Sequence, residues 1–133
     1  MIFEDVLVEI TQKYPRCPVK KLPAGREHPR EFIVVFEPTE KHPEWSMGLS
    51  YVLSSEPHHH KKIRELYIVE RGEIELFVGT TLFIMGEGSW RVVPENTTHW
   101  MHATVNAPSY AIVRIYSSPG WTLADHHSDK EIV

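Results

Sequence analysis

Eight short runs rich in β-branched and aromatic residues follow one another over 31–37, 45–53, 65–70, 73–78, 81–84, 89–93, 99–105 and 110–116. Turn chemistry stands at their boundaries: Arg71-Gly72, Gly79-Thr80, Gly86-Glu87-Gly88, Pro94-Glu95-Asn96, Asn106-Ala107-Pro108 and Pro119-Gly120. Short strands joined by frequent turns predict an all-β, antiparallel sandwich or barrel. The ten prolines suit that architecture and disfavour a helical one. Within 45–53 the pattern alternates, with Trp45, Met47, Leu49, Tyr51 and Leu53 on one side of the strand.

The flanks read differently. Phe3, Val6, Leu7, Ile10 and Tyr14 recur at helical spacing and Pro15 stops the pattern, which predicts a short N-terminal helix. Pro18, Pro23, Gly25 and Pro29 then mark a loop or an extended crossing segment. After Trp121 the chain is polar until Ile132 and Val133, so the tail either stays free or docks through those two residues. At 133 residues the chain is read as a single domain, 1–133. Its core spans about 31–118, and the segment 1–30 packs on that core or on a partner.

Charge and cysteine content narrow the function. The formal net charge of −4 carries no electrostatic footprint for nucleic acid. The one cysteine, Cys17, cannot form an internal disulfide, and it excludes cysteine-rich zinc sites and thiolate-held clusters. Glu4, Asp5 and Glu9 contradict a secretory leader, and no apolar run approaches the ~18 residues of a membrane span. The expectation is a cytoplasmic protein that engages neither membrane nor nucleic acid.

Nine histidines stand against that single cysteine. On a strand, His58 and His60 share one face and His59 takes the other. If 61–64 form a turn, Glu65 returns to the face of His58 and His60. His99, just after the 94–96 turn, completes the set if its strand is a neighbour. On their own, three adjacent histidines running into Lys61 and Lys62 also read as a solvated basic loop. The wider spacing favours a metal site. Imidazole suits Zn, Cu, Fe and Ni, and a carboxylate adds the hard, anionic character suited to Fe or Mn.

The spacing resembles that of the cupin superfamily, in its small single-domain, metal-binding form. His58-His59-His60, four residues, Glu65, six residues and Gly72 resemble its first motif. Gly88, five residues, Pro94, one residue, Asn96, two residues and His99 resemble its second. Fifteen residues separate Gly72 from Gly88. Three positions depart from the family pattern: Val52 and Asn96 replace glycines, and Ala103 replaces an asparagine. They change turn and loop detail, not ligands, and Asn tolerates positive φ better than other non-glycine residues. The resemblance implies a jelly-roll β-barrel holding one divalent metal ion (Fe, Mn, Ni or Zn). Its ligands would be His58, His60, Glu65 and His99, with Gly72 and Gly88 as turn residues.

Other residues are candidates to line such a site. Tyr67 and Val69 share the face of Glu65. Tyr51, Tyr67, Trp90, Arg114 and Tyr116 are the substrate-binding candidates, with Arg114 suited to a carboxylate or phosphate. Glu65 and His102 are the candidates for acid–base work, although strict alternation from His99 sends His102 to the other face. His28, His42, His126 and His127 have no partner at ligand spacing and are read as surface residues.

The leading expectation is a metal-binding single-domain cupin acting on a small molecule. If it is an enzyme, the resemblance covers oxygenases, isomerases and decarboxylases. The alternative is a non-catalytic module or sensor that binds a small ligand in the same cavity. A homodimer is expected in either case, because exposed sheet edges are usually covered and twofold pairs are the commonest assembly.

Overall fold

The computed structural model describes residues 3–22, 29–104 and 110–129. Among them are one α-helix, α1 (Phe3–Lys13), and eleven strands. These are β1 (Val19–Leu22), β2 (Glu31–Glu37), β3 (Ser46–Val52), β4 (His58–His59), β5 (Arg64–Arg71), β6 (Ile74–Val78), β7 (Thr81–Met85), β8 (Trp90–Val93), β9 (His99–Ala103), β10 (Ala111–Ser118) and β11 (His127–Ser128). The eight runs expected from the sequence are all strands, with ends displaced by a residue or two. Three short strands were not expected. β1 lies in the segment read as a loop or extended crossing, β4 is the histidine run, and β11 lies in the tail. Val105 and the 106–108 turn, His28, Ile132 and Val133 lie outside the described residues. No described helix is long and apolar enough to cross a membrane.

The strands form two antiparallel sheets. The first runs β1-β2-β3-β10-β5-β8 and the second β11-β4-β9-β6-β7. Beyond β3 the chain crosses to the second sheet, where Leu53 and Ser55 exchange backbone hydrogen bonds with Ala103 and Met101 of β9. This double-sheet, cupin-like architecture agrees with the fold expected from the sequence.

Alternation sorts the side chains of the first sheet into two cores. Val52, Tyr67, Val69 and Val113 face inward and meet Ile74, Leu76 and Met101 from the second sheet. Phe32, Val34, Leu49, Tyr51 and Ile112 face outward and are covered by Val6 and Ile10 of α1. Around β2 and β3 the first sheet is therefore buried on both faces, and the N-terminal helix packs on its own chain. Polar contacts reinforce that docking: the Tyr51 hydroxyl donates to Glu9 at 2.6 Å, and Arg71 pairs with the same carboxylate.

Backbone conformation at three turns follows the sequence motifs. Gly72 (φ 82°), Gly88 (φ 85°) and Asn96 (φ 57°) all lie in the left-handed region. Asn96 stands where the family has glycine, and its amide donates 2.7 Å to the His60 carbonyl. That bond joins the loop before β9 to the end of the histidine run.

If α1 is part of the folded unit, Ile10→Ala should lower stability by about 2–4 kcal/mol, the usual cost of truncating a buried aliphatic side chain. Val8→Ala, at a position 53% exposed, should change it by less than about 0.5 kcal/mol. Urea denaturation of both variants checks this; equal effects would mean that α1 does not hold its place.

Candidate metal centre

The four motif residues converge from three strands and a loop. β4 pairs with β9 so that His58 and His99 are direct cross-strand partners, and their ring centroids lie 4.2 Å apart. His60 follows β4 and Glu65 opens β5. One ligand atom from each of the four lies within 4.8 Å of the others, and all four residues are buried. His59 takes the opposite direction, donating from Nδ1 to the Asp129 carboxylate at 2.7 Å.

The backbone dictates which ring nitrogen each ligand histidine presents. Nδ1 of His58 meets the Glu56 carbonyl at 2.7 Å, Nδ1 of His60 meets the Asp125 carbonyl at 2.9 Å, and Nδ1 of His99 meets the Thr97 carbonyl at 2.9 Å. A carbonyl only accepts, so each Nδ1 carries the hydrogen and each Nε2 is left to face the centre. Glu65 completes the set. Its Oε2 accepts from Ser117 at 3.1 Å and its Oε1 from the Tyr67 hydroxyl at 3.4 Å. Oε1 also lies 3.2 Å from Nε2 of His99 and 3.3 Å from Nε2 of His60.

These contacts test whether the residues fit a cation. With the Nδ1 hydrogens committed, lone pairs on Nε2 confront a carboxylate unless a proton or a metal ion lies between them. Nε2 of His60 is buried and makes no hydrogen bond. Burial pushes the His58 imidazole down to about 3, aided by the charge on His99. Burial also opposes charge on His60 and on Glu65. The attraction between the two outweighs it, holding His60 above its ordinary range and Glu65 well below the carboxylate range. Three imidazole nitrogens around an ionised carboxylate, with no thiolate among them, form a nitrogen and oxygen donor set that fits a divalent ion, which would take the place of any imidazole proton.

The tail contributes more than the sequence suggested. Asp125 supplies the carbonyl that holds His60, and its carboxylate accepts from the backbone amides of Lys61 and Lys62 at 3.0 Å each. Asp129 is buried, binds His59, and accepts from Thr98 at 2.9 Å. The tail thus docks through 125–129. His126, read from the sequence as a surface residue, stacks on His58 with ring centroids 4.4 Å apart and an interplanar angle of 20°. Its Nδ1 is buried without a hydrogen bond. Burial, then the charge on His60, pushes its imidazole down to about 4. His127 stacks on His59, and His42 binds Glu37 and the Trp45 carbonyl.

A cavity of about 470 Å³ opens beside the cluster, lined by His58, Glu65, Tyr67, Met101, Trp121 and the inward face of β2 among others. Of the substrate-binding candidates, only Tyr67 lines it. Tyr51 is turned to the helix and binds Glu9. Arg114 faces away from the cavity, because Val113, Ile115 and Ser117 take the inward positions of β10, and it pairs with Glu70. Tyr116 shares that outer face, near Trp45. Trp90 is 63% exposed. His102 points outward as strict alternation requires, 3.4 Å from Glu75 and beside Phe77. Period-two alternation named the two faces of each strand correctly, but it cannot say which face is inward for a sheet buried on both sides.

Glu31 and His126 are two titratable groups of the cavity that the sequence did not single out. Glu31 lines the cavity from the first position of β2, and burial pushes its carboxyl up to about 7, with the charge on Glu65 adding to the effect. Its signal was the spacing of Glu31, Ile33, Val35 and Glu37. His126 had no sequence signal, since its position depends on the path of the tail.

The cupin domain family model matches residues 32–114, more than half of the chain, and the chain belongs to that family. Solved structures share the fold at low identity. KdgF from Halomonas sp. is 17% identical, with 77% of this chain and 86% of that chain covered and a TM-score of 0.62. Pac13, a nucleoside dehydratase, is 12% identical, with 86% and 85% covered and a TM-score of 0.68; the same protein from Streptomyces, as a variant with uridine, aligns equally well. HppE in its Fe(II) form is 18% identical with a TM-score of 0.66, and 78% of this chain covers 57% of that one. No curated protein sequence matches the chain significantly.

The buried imidazoles give metal-free protein a defined pH response. His58 and His126 bind protons in the unfolded chain near pH 6.5 but in the folded chain only near 3 and 4. The unfolded state therefore holds more protons between those limits, and stability falls as pH drops through that window. Glu31, protonated when folded, releases a proton over part of the same range, so the comparison isolates His126: denaturant titrations of chelated protein between pH 6 and pH 5 should show about one proton fewer taken up on unfolding by His126→Gln than by the parent. An unchanged slope in that variant would show that His126 is solvated.

Proposed function

We propose that this protein is a metal-dependent cupin that acts on a small molecule bound between its two sheets, in a reaction of the oxygenase or isomerase type. The observation that carries this reading is the convergence of three backbone-oriented Nε2 atoms and one carboxylate at the wall of a cavity of about 470 Å³. His58, His60, Glu65 and His99 would hold the ion. Fe, Mn, Ni or Zn would supply Lewis acidity when bound, and Fe(II) would add redox capacity. Tyr67 and Ser117 hold the Glu65 carboxylate by donating to it, which fixes its free lone pairs toward the centre. Ile33, Val35 and Met101 give part of the remaining wall an apolar lining. The structural neighbours include a nucleoside dehydratase and an Fe(II) protein, which supports metal or acid–base chemistry on a small organic substrate without selecting one reaction.

Protein purified without a histidine tag and supplemented with Fe, Mn, Ni and Zn should retain close to one equivalent of metal by elemental analysis. His60→Ala and Glu65→Ala should lose most of it while keeping the far-ultraviolet circular dichroism of the parent. Sub-stoichiometric metal in the parent would sink the proposal. With metal present, ligand-induced thermal shifts without turnover would favour the binding or sensor reading over the enzyme.

A homodimer is part of the same reading. β7 and β8 are the outer strands of their sheets, and Ile84, Trp90, Val92 and Leu82 on them are 68%, 63%, 45% and 44% exposed. The guanidinium of Arg91 lies 4.4 Å over the Phe83 ring, so the two edges are neighbours. An apolar patch across two unpaired edges favours burial against a second copy. Light scattering at micromolar concentration should give twice the chain mass, and Ile84→Glu with Trp90→Glu should halve it. A monomeric parent would rule the dimer out.

A further inference from the structure

We propose that Glu31 is the proton-transfer residue of the cavity, placed to donate a proton to a substrate held against His58, His60, Glu65 and His99. The first support is position. β2 faces α1 with Phe32 and Val34 and the cavity with Glu31, Ile33 and Val35. Glu31 also lines a second, smaller space of about 180 Å³, together with His58 and His126. Glu31 therefore stands where both spaces meet the metal cluster, yet it is not one of the four residues whose ligand atoms converge.

The second support is how the carboxyl is held. Glu31 is 6% exposed, and Ser50 donates to its Oε2 at 2.5 Å. Among the described residues, no Lys, Arg or His forms an ion pair with it. A buried carboxylate without a cation is costly, so this group favours its protonated form. The titratable groups lining the same space agree with that state. Glu65 and Tyr67 face it from β5, His58 from β4 and His126 from the tail. Glu65 is held ionised by its histidines, Tyr67 keeps its proton, and His58 and His126 are held neutral. Lys20 on β1 lines the cavity from its exposed rim, with its ammonium 4.0 Å over the Trp121 ring, and Glu37 and Glu40 line it too, Glu37 against His42. Arg30 and Glu56 line the smaller space, where the Arg30 guanidinium donates to the Ser54 hydroxyl at 2.9 Å. Burial pushes the Glu31 carboxyl up to about 7, further helped by the charge on Glu65, where a general acid works best at neutral pH.

In the step assigned to it, the O–H bond of the Glu31 carboxyl breaks. A new bond forms between that proton and the substrate atom that acquires negative charge. The resulting carboxylate regains a proton from water entering through the cavity mouth. No electrons are gained or lost. The substrate's place in this step rests on the metal-dependent reading above; the protonation state of Glu31 does not.

Infrared titration of zinc-loaded parent, Glu31→Gln and Ser50→Ala tests the assignment, with metal content measured on each. The parent should show the carbonyl stretch of a protonated carboxylic acid that persists above pH 5, past the ordinary carboxylate range, and disappears as pH rises further. The band should be absent from Glu31→Gln, which should keep the parent's metal content. It should persist to higher pH in Ser50→Ala, because the lost hydrogen bond favoured the ionised form. Formate, followed by the visible spectrum of cobalt-loaded protein, probes the link to the cluster. Over the same pH rise its dissociation constant should increase roughly tenfold more in the parent than in Glu31→Gln. A carboxyl already ionised at pH 5, or parallel formate curves in the two proteins, would overturn the proposal. Absence of metal from all three proteins would defeat the metal reading alone, since the infrared band still decides the state of Glu31.

Discussion

Three backbone carbonyls hold the chemistry of this site in place. By accepting from Nδ1 of His58, His60 and His99, the carbonyls of Glu56, Asp125 and Thr97 commit each ring to one tautomer and one orientation. A backbone carbonyl cannot rotate away as a side chain can, so the orientation is only as firm as the loops that carry it. The loop before β9 is tied to the histidine run by the bond from Asn96 to His60. The tail is tied to it by Asp125, by Asp129 and by the pairing of β11 with β4. Removing any one tie would loosen a ring without touching a ligand atom.

The first sheet makes this arrangement affordable in stability because both of its faces are buried around β2 and β3. Its outer face carries aliphatic and aromatic residues beneath α1, and the core between the sheets fills with Val52, Val69, Ile74, Leu76 and Met101. Those apolar regions leave one end of the interior for buried polar groups: Glu31, Ser50, Glu65, Ser117 and the ligand histidines. Each of those groups has a partner or an electrostatic reason to be there. Ser50 serves Glu31, and Ser117 and Tyr67 serve Glu65. His126 belongs with them by its stacking on His58.

Much of this was legible in the residues. Strand periodicity marked the eight long strands, the turn residues marked their ends, and the His-x-His, Glu and distant His spacing marked the cluster. The lining of the cavity was less legible. Tyr51 and Arg114 look as suitable for ligand binding as Tyr67, since each is polar, large and on a regular strand. Nothing local distinguishes a face turned to a helix from a face turned to a cavity. Glu31 carried a weak signal in its alternation with Ile33 and Val35. The roles of His126, Asp125 and Asp129 depend on where a distant tail runs, which leaves no mark on their neighbours in sequence.

The amino-acid sequence by itself marked the succession of eight strands, the turns between them, the family and the four candidate ligands, because those depend on local periodicity and on fixed motif spacings. Only the tertiary structure decided which face of the first sheet is the cavity, that α1 covers the other, and that the tail returns to orient His60. Those outcomes follow from which apolar surfaces bury one another, a balance of long-range packing that no single segment encodes.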